Sequence, residues 1–340
     1  MRALVLHGPG DLRLEEVPEP VAGPGELVVE VSAALTCATD AKMVRAGAHP
    51  ALGPLPARLG HELAGTVAEA GPGAGWRPGD AVVVANSAPC GACSECAADR
   101  PSLCARLVYL TGAFAERVLV PAPIAAGNTL PLPEGLAPEI AAMTEPLACA
   151  VRSAERCTAA AGDLVLVLGG GVQGQLLAGL LARRGCRVHL ADPHPERRER
   201  ARRFGAEAAH RAPRDDAGAQ VLRASLPGGR GADAVLEAVG TPQAWRAAVM
   251  LARPGGEVLL HGGCPPGSDA ILPTGPLHYG ELTLRGSYHH TPGAVRAALA
   301  LLAAGELPAG ELLGRPVALA DVGEALRTER GVKRPVQVRE

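Results

Sequence analysis

Five apolar residues in a row, Leu164-Val165-Leu166-Val167-Leu168, run straight into Gly169-Gly170-Gly171-Val172-Gln173-Gly174. A continuous run of leucine and valine of this length reads as a strand buried on both faces. Such a strand needs a covering layer on each side, which commits the surrounding chain to a parallel sheet wrapped by helices. The flanking sequence supplies both. Residues 175–184 read as a helix, 187–191 as the next strand, and 195–204 as a charged surface helix with Pro195 in its first turn. Residues 234–238, 257–260 and 282–284 read as further strands, with 244–252 helical between the first two.

The glycines after the buried strand fit the pattern G-x-G-x-x-G. Gly169 permits a tight turn, Gly171 lets backbone approach a pyrophosphate, and Gly174 allows the helix to pack close to the strand. The helix N-terminus, with Val172 and Gln173, then offers N–H groups to phosphate. Asp192 falls at the end of the next strand, where a carboxylate accepts from both adenosine ribose hydroxyls. That favours NAD and repels the 2′-phosphate of NADP. Arg197, one helical turn on, is placed to pair with such a phosphate and pulls the other way. The plainer reading of Arg197 and Arg198 is a solvated helix face.

The first third of the chain has a different texture. Residues 27–31 and 81–84 are short β-branched runs, punctuated by turns at 71–75 and 78–80. After Gly286 come a helix at 292–304 and a short β tail at 335–338. A length of 340 residues fits two domains of roughly 100–200 residues each. A formal net charge of −2 carries no bias toward nucleic acid or anionic membranes. No apolar run reaches the roughly 18–20 residues that span a bilayer. Met1–His7 is followed at once by Gly, Pro and Asp, unlike a signal peptide, so a cytoplasmic location is expected. Basic charge is almost wholly arginine, with Lys42 and Lys333 the two lysines.

Nine cysteines are present, four of them within fifteen positions as Cys90-x2-Cys93-x2-Cys96-x7-Cys104. In a large intracellular chain this clustering points to metal ligation rather than disulfides. Four thiolates close a tetrahedral shell around zinc with no open position, which makes a structural site. The rival is an iron–sulfur cluster. In ferredoxins, however, the fourth cysteine follows after three residues and is trailed by proline, and neither holds here. Cys157, Cys186 and Cys264 read as small buried hydrophobes. Three further segments, Cys37-Ala38-Thr39-Asp40, Gly60-His61-Glu62 and Glu145-Pro146-Leu147, have bland readings when each is taken alone.

In order along the chain, these elements resemble the medium-chain dehydrogenase/reductase family, in its zinc-containing alcohol and polyol dehydrogenase branch. The resemblance extends to Gly79-Asp80, Gly112-Ala113-Phe114-Ala115-Glu116, Glu237-Ala238-Val239-Gly240, Arg253-Pro254-Gly255-Gly256 and Arg285-Gly286-Ser287. It implies an α/β fold, a Rossmann doubly wound parallel sheet plus a GroES-like β-rich catalytic domain. The catalytic domain would span 1–150 with a zinc lobe at about 86–108, the NAD domain 151–286, and 287–340 would return to the first.

The resemblance also implies a catalytic zinc held by Cys37 and His61, with Glu62 or Glu145 joining them and Asp40 orienting His61. Thr39 would accept the hydroxyl proton. Lys42 stands where many relatives end the proton relay with histidine, so it either serves that relay or the cofactor, or faces solvent. Val239 and Gly262 would contact the cofactor. Tyr288-His289-His290 would contact a polar substrate or line a subunit interface.

The implied reaction moves hydride from a secondary alcohol (polyol, sugar, cyclitol or aminoglycoside-type hydroxyl) to NAD, giving a ketone. An aromatic content of 2% argues against a large aromatic-lined pocket for apolar alcohols. The alternatives are a threonine- or glucose-type dehydrogenase of the same branch, or a non-catalytic zinc- and nucleotide-binding protein. A homodimer or homotetramer pairing through residues 281–284 is implied as well.

Overall fold

A computed structural model describes residues 1–328 and 331–339. The chain divides into two compact units, Met1–Ala148 with His290–Glu340, and Cys149–His289. The sequence had put the divisions near 150 and 286.

The first unit is built on a sheet ordered Thr129–Pro131, Ala81–Val84, Leu63–Ala70, Leu27–Leu35, Pro335–Gln337, Val317–Ala318, with Arg117–Val120 also paired to Leu27–Leu35. All of these pairs are antiparallel except the last in that order, Pro335–Gln337 with Val317–Ala318. Leu27, Val29, Leu63, Val67 and Phe114 anchor its core. The strand Leu27–Leu35 organises the unit and runs four residues beyond the expected 27–31. It ends two residues before Cys37, which is the N-cap of the helix Ala38–Ala46.

Two neighbours of that strand bring distant sequence to the same end of the sheet. The strand Leu63–Ala70 begins just after His61-Glu62, and Leu35 N–H donates to the Glu62 carbonyl at 3.1 Å. Pro335 pairs with Leu35, while Thr36 and Arg334 exchange backbone and side-chain hydrogen bonds at 2.9–3.1 Å. Sheet register alone therefore gathers residues 36–40, 61–62 and 333.

The second unit is a six-stranded parallel sheet ordered Ala208–His210, Arg187–Ala191, Leu164–Leu168, Ala232–Glu237, Ala252–Leu260, Thr283–Gly286. Numbered along the chain this is 3-2-1-4-5-6, the doubly wound order that changes direction beside its first strand. Every residue of Leu164–Leu168 is buried, as the unbroken apolar run requires. The helix after the glycines starts at Val172 rather than 175, so Val172, Gln173 and Gly174 form its first turn. Ala252–Leu260 is longer than the expected strand because 253–256 continue it, with an irregular register between Ala232 and Ala234.

The strand Ala208–His210 and the helix Asp216–Ser225 carried no clear sequence pattern; the helix is alanine-rich and contains Gly218. Its start is fixed locally, by the Asp215 side chain accepting from Gly218 N–H at 2.8 Å. The fold class implied by the resemblance stands. Among the described residues, no helix is long and apolar enough to cross a membrane.

Packing in the second unit carries a pH signature. His261, after the strand Ala252–Leu260, meets Ser153 Oγ through Nδ1 at 2.6 Å. One ring edge stays partly open, yet the surrounding protein pushes the imidazole down to about 4. The unfolded chain therefore takes up a proton below about 6.5 that the folded chain refuses, so stability falls as pH drops from about 6.5 to about 4. The expected loss is about 2 kcal/mol across that window, after allowance for the open edge. Urea unfolding of His261→Gln at pH 7.5 and pH 5 checks it. The variant should lose less stability on acidification than wild type, and an equal loss would remove His261 from the account.

Candidate active site

The glycine turn shows three different reasons for three glycines. Gly169 has φ +104°, a conformation that a side chain disfavours. A Cβ on Gly171 would meet nothing within 4 Å, which leaves the backbone open to an incoming ligand. A Cβ on Gly174 would lie 1.8 Å from the Gly169 carbonyl oxygen, so only glycine lets helix and strand pack at this spacing. Gly262 is also tight, because its Cβ would meet Gly240 N at 2.3 Å, whereas Val239 is half exposed.

Asp192 is buried and tied to the turn. Its Oδ2 accepts from Gly170 N–H at 2.7 Å and its Oδ1 from His194 N–H at 2.8 Å. The arginines are not a free solvated face. Arg197 reaches Asp192 Oδ2 at 3.5 Å, and Arg198 donates to the Asp192 and Pro193 carbonyls at 2.8 and 2.9 Å. Gln175 was not singled out from the sequence. It is fully buried, and its amide donates to the Gly170 and Arg197 carbonyls at 3.0 and 2.8 Å, which clamps the turn to the following helix.

Cys90, Cys93, Cys96 and Cys104 converge, with all four sulfurs within 4.8 Å of one another. Cys93 Sγ lies 3.6 Å from Cys96 Sγ and 3.8 Å from Cys104 Sγ. Tetrahedral zinc with Zn–S near ~2.3 Å requires S···S edges of about 3.8 Å, so the donor set fits one ion and leaves no room for a multi-iron cluster. Burial and its neighbours push Cys96 up to about 11, but other contacts in the lobe favour thiolate. Cys90 N–H and Arg106 N–H point at Cys104 Sγ at 3.2 and 3.3 Å, and a backbone hydrogen bond from Ala92 helps draw Cys90 down to about 6.

The second convergence is made by Cys37, His61 and Glu62, whose ligand atoms also lie within 4.8 Å of one another. Asp40 holds two of them. One oxygen meets His61 Nδ1 at 3.0 Å and the other accepts Cys37 N–H at 3.1 Å, so a single carboxylate caps the helix and fixes the imidazole. His61 Nε2 is then left facing Glu62 Oε1, 3.9 Å away. Burial opposes a charge on His61, but Asp40 outweighs it and raises the imidazole well above its ordinary value. Glu62 Oε2 is buried without a hydrogen-bond partner, which is costly for a carboxylate unless a cation completes it. A nitrogen, a sulfur and an oxygen around an unsatisfied buried carboxylate suit zinc.

Lys333 is the functional-site residue that sequence reasoning missed. It is buried, and its Nζ contacts Glu62 Oε1 at 2.5 Å. Burial pushes the ammonium down, but Cys37, Glu62 and Glu145 outweigh it and hold it above the ordinary lysine range. Its scarcity in an arginine-rich chain was the available signal, and that signal was spent on Lys42. Lys42 lies exposed on the helix Ala38–Ala46, and Thr39 is half-buried in its first turn. Glu145, second residue of the helix Thr144–Arg156, is buried but is not one of the three atoms that converge. His290 Nε2 meets Asn86 Oδ1 at 2.9 Å in the interior of the first unit, whereas Tyr288 is exposed.

Residues 23–134 match the alcohol dehydrogenase GroES-like domain, and 173–304 match the zinc-binding dehydrogenase domain. An erythritol/L-threitol dehydrogenase of Mycolicibacterium smegmatis is 30% identical, with 99% of this chain and 96% of that protein covered. The chain is a zinc-containing medium-chain alcohol dehydrogenase. A candidate zinc-binding alcohol dehydrogenase of Mycobacterium tuberculosis is 35% identical over 77% of this dehydrogenase and 68% of its own length. Among solved structures, a candidate zinc-binding dehydrogenase of Sinorhizobium meliloti 1021 bound to NADP superposes with a TM-score of 0.87 at 31% identity, covering 98% of both chains. The enzyme is thus an NAD(P)-dependent alcohol dehydrogenase, as the resemblance implied.

Proposed function

We propose that Cys37, His61 and Glu62 hold the catalytic zinc of this dehydrogenase, and that its substrate is a polyol- or sugar-like secondary alcohol. The observation that carries the metal assignment is the convergence of ligand atoms from Cys37, His61 and Glu62, the last a buried carboxylate with one oxygen, Oε2, left without a hydrogen-bond partner. Three protein ligands rather than four are the pattern of a site that keeps one position for chemistry. Zinc bound there would supply Lewis acidity, and NAD(P) would supply the hydride acceptor.

The chain's own residues do the rest. Asp40 keeps His61 Nδ1 protonated and its Nε2 available. Thr39, two residues from Cys37, would accept the substrate's hydroxyl proton while passing its own on through the cofactor ribose. Gly169 to Gly174 receive the pyrophosphate on the helix N-terminus, and Val239 and Gly262 border the cofactor. A cleft of about 410 Å³ lined by His210, Pro213, Val221 and Leu222 adjoins Asp192, whose N–H bonds the His210 carbonyl at 3.1 Å; it suits the adenine.

NAD is favoured over NADP because the Asp192 carboxylate is fixed in place and already engages Arg197. Asp192→Ala should therefore lower kcat/KM for NAD by about 10–100-fold, the worth of hydrogen bonds to a charged group. Initial rates with NAD and NADP check this, and an unchanged preference would count against it. The Mycolicibacterium relative's substrates and the low aromatic content support a polar alcohol. The exposed edge strand Thr283–Gly286 supports a homodimer, and the low net charge suits a cytoplasmic enzyme.

The test is NAD(P) reduction by the zinc-loaded enzyme across tetritols, pentitols, hexitols, aminocyclitols, glucose and L-threonine. Turnover of polyols or cyclitols is expected. Turnover of L-threonine or glucose alone would replace the substrate assignment, and no turnover at all would favour a binding role.

A further inference from the structure

A serine–histidine–serine chain stands at the carboxyl edge of the parallel sheet. Ser153, fully buried on the helix Thr144–Arg156, meets His261 Nδ1 at 2.6 Å and Ser287 Oγ at 2.8 Å. His261 follows the strand Ala252–Leu260, and the N–H groups of His261 and Gly262 both donate to the Glu237 carbonyl at 2.9 Å. Ser287 follows the strand Thr283–Gly286 and donates its N–H to the Leu260 carbonyl at 3.0 Å. The imidazole is thereby held at the ends of the strands Ala232–Glu237, Ala252–Leu260 and Thr283–Gly286.

That place has a meaning in a doubly wound sheet. Dinucleotides lie across the carboxyl ends of the strands, with one mononucleotide on each half. Asp192 and the Gly169–Gly174 turn belong to the half that takes adenosine and pyrophosphate, so the other half receives the nicotinamide. His261 stands on that other half, next to Gly262.

The hydrogen bonds also fix which nitrogen carries the proton. A serine hydroxyl has one proton to give. Ser153 gives it to Ser287, so toward His261 it can only accept, and Nδ1 must be the N–H. Burial holds the ring neutral, pushing it down to about 4. Nε2 is left as a bare lone pair. Among the described residues it has no hydrogen-bond partner, and it lies on the ring edge that stays partly open. A fixed acceptor with no donor from the protein calls for one from outside, and the carboxamide of a nicotinamide is such a donor. A neutral ring also tolerates the positive charge of the oxidised cofactor, which an imidazolium would repel.

The structure assigns His261 to the cofactor site: its Nε2 accepts from the carboxamide N–H group and sets the orientation of the nicotinamide ring. This rests on the proposed course of the cofactor along the Gly169–Gly174 turn, Val239 and Gly262.

Dissociation constants for NADH and ADP-ribose, by titration calorimetry, separate this from a structural role. ADP-ribose lacks the nicotinamide and reports on the other half of the site. His261→Asn keeps an amide at the Nδ1 position, facing Ser153, and removes Nε2. His261→Gln does the reverse, placing an amide oxygen where Nε2 was. His261→Asn should weaken NADH by about three- to tenfold, the worth of one neutral hydrogen bond, and leave ADP-ribose unchanged. His261→Gln should bind NADH within about twofold of wild type. A ring that merely braces Ser153 gives the opposite order. That order, equal losses for the two ligands, or an unchanged NADH affinity in His261→Asn overturns the inference.

Should the variants fail to fold, the ring nitrogens of the wild-type enzyme decide. Assigned nitrogen-15 spectra at neutral pH should show His261 with Nδ1 protonated and Nε2 bare, the Nε2 signal moving with NADH and not with ADP-ribose. A proton on Nε2, or the same response to both ligands, rejects the role. Gly171→Ala tests the course of the cofactor separately, because it should weaken both ligands alike. If it weakens neither, the placement of the cofactor is wrong, whereas the expected loss beside a wild-type-like His261→Asn refutes His261 alone.

Discussion

His61→Ala should cost this dehydrogenase one of two zinc ions and on the order of 10³–10⁴ in kcat/KM, since the Lewis acid contributes several kcal/mol and 1.4 kcal/mol is tenfold. The loss is large because His61 supplies the one nitrogen among the three converging groups. His61 Nδ1 is committed to Asp40, and the remaining donors are Cys37 and a Glu62 already half claimed by Lys333. The fold should survive, because the zinc lobe at Cys90–Cys104 lies elsewhere on the sequence and its four sulfurs are independent of His61. Elemental analysis, circular dichroism and initial rates on one preparation give the three readouts. A variant that retains two zinc ions and wild-type rates would remove His61 from the site.

Gly174→Ala is the second change with a large expected effect. The added methyl would sit 1.8 Å from the Gly169 carbonyl oxygen, and that oxygen belongs to backbone that cannot swing aside. Relief requires the helix Val172–Arg183 to move away from the strand Leu164–Leu168, at a cost of about 3 kcal/mol, the upper part of the usual overpacking range. At about 2–4 °C per kcal/mol, Tm should fall by about 6–12 °C. Cofactor affinity should drop with it, because the N–H groups that face the pyrophosphate ride on the same turn. Gly171→Ala is the control. Its Cβ meets nothing within 4 Å, so Tm should hold while the cofactor KM rises. Equal melting temperatures for Gly174→Ala and wild type would show that the packing argument is wrong.

The parts of this enzyme legible in the sequence are those whose geometry is local. Four cysteines within fifteen positions, or three glycines between a buried strand and a helix, meet their partners across a few residues, so spacing is nearly geometry. The choice between Glu62 and Glu145 was not legible. Both are carboxylates near the right segments, and only the pairing of Leu35 with the Glu62 backbone puts one of them beside Cys37. Lys333 was less legible still, since 271 residues separate it from Glu62 and a parallel bridge, Leu313 to Lys333, delivers it. The strand Ala208–His210 escaped because a three-residue strand carries no period. Arg197 and Arg198 looked like a solvated face because sequence cannot show that both lean back onto the Asp192 turn.

The central claim is that one metal sits on Cys37, His61 and Glu62 while another is enclosed by sulfur. Anomalous diffraction at the zinc edge, on crystals grown with zinc and NAD, tests it most directly. Two peaks per chain are predicted, one surrounded by the sulfurs of Cys90, Cys93, Cys96 and Cys104. The other should touch Cys37 Sγ, His61 Nε2 and the carboxylate of Glu62. A second peak held by Glu145 in place of Glu62, or no second peak at all, would contradict the account.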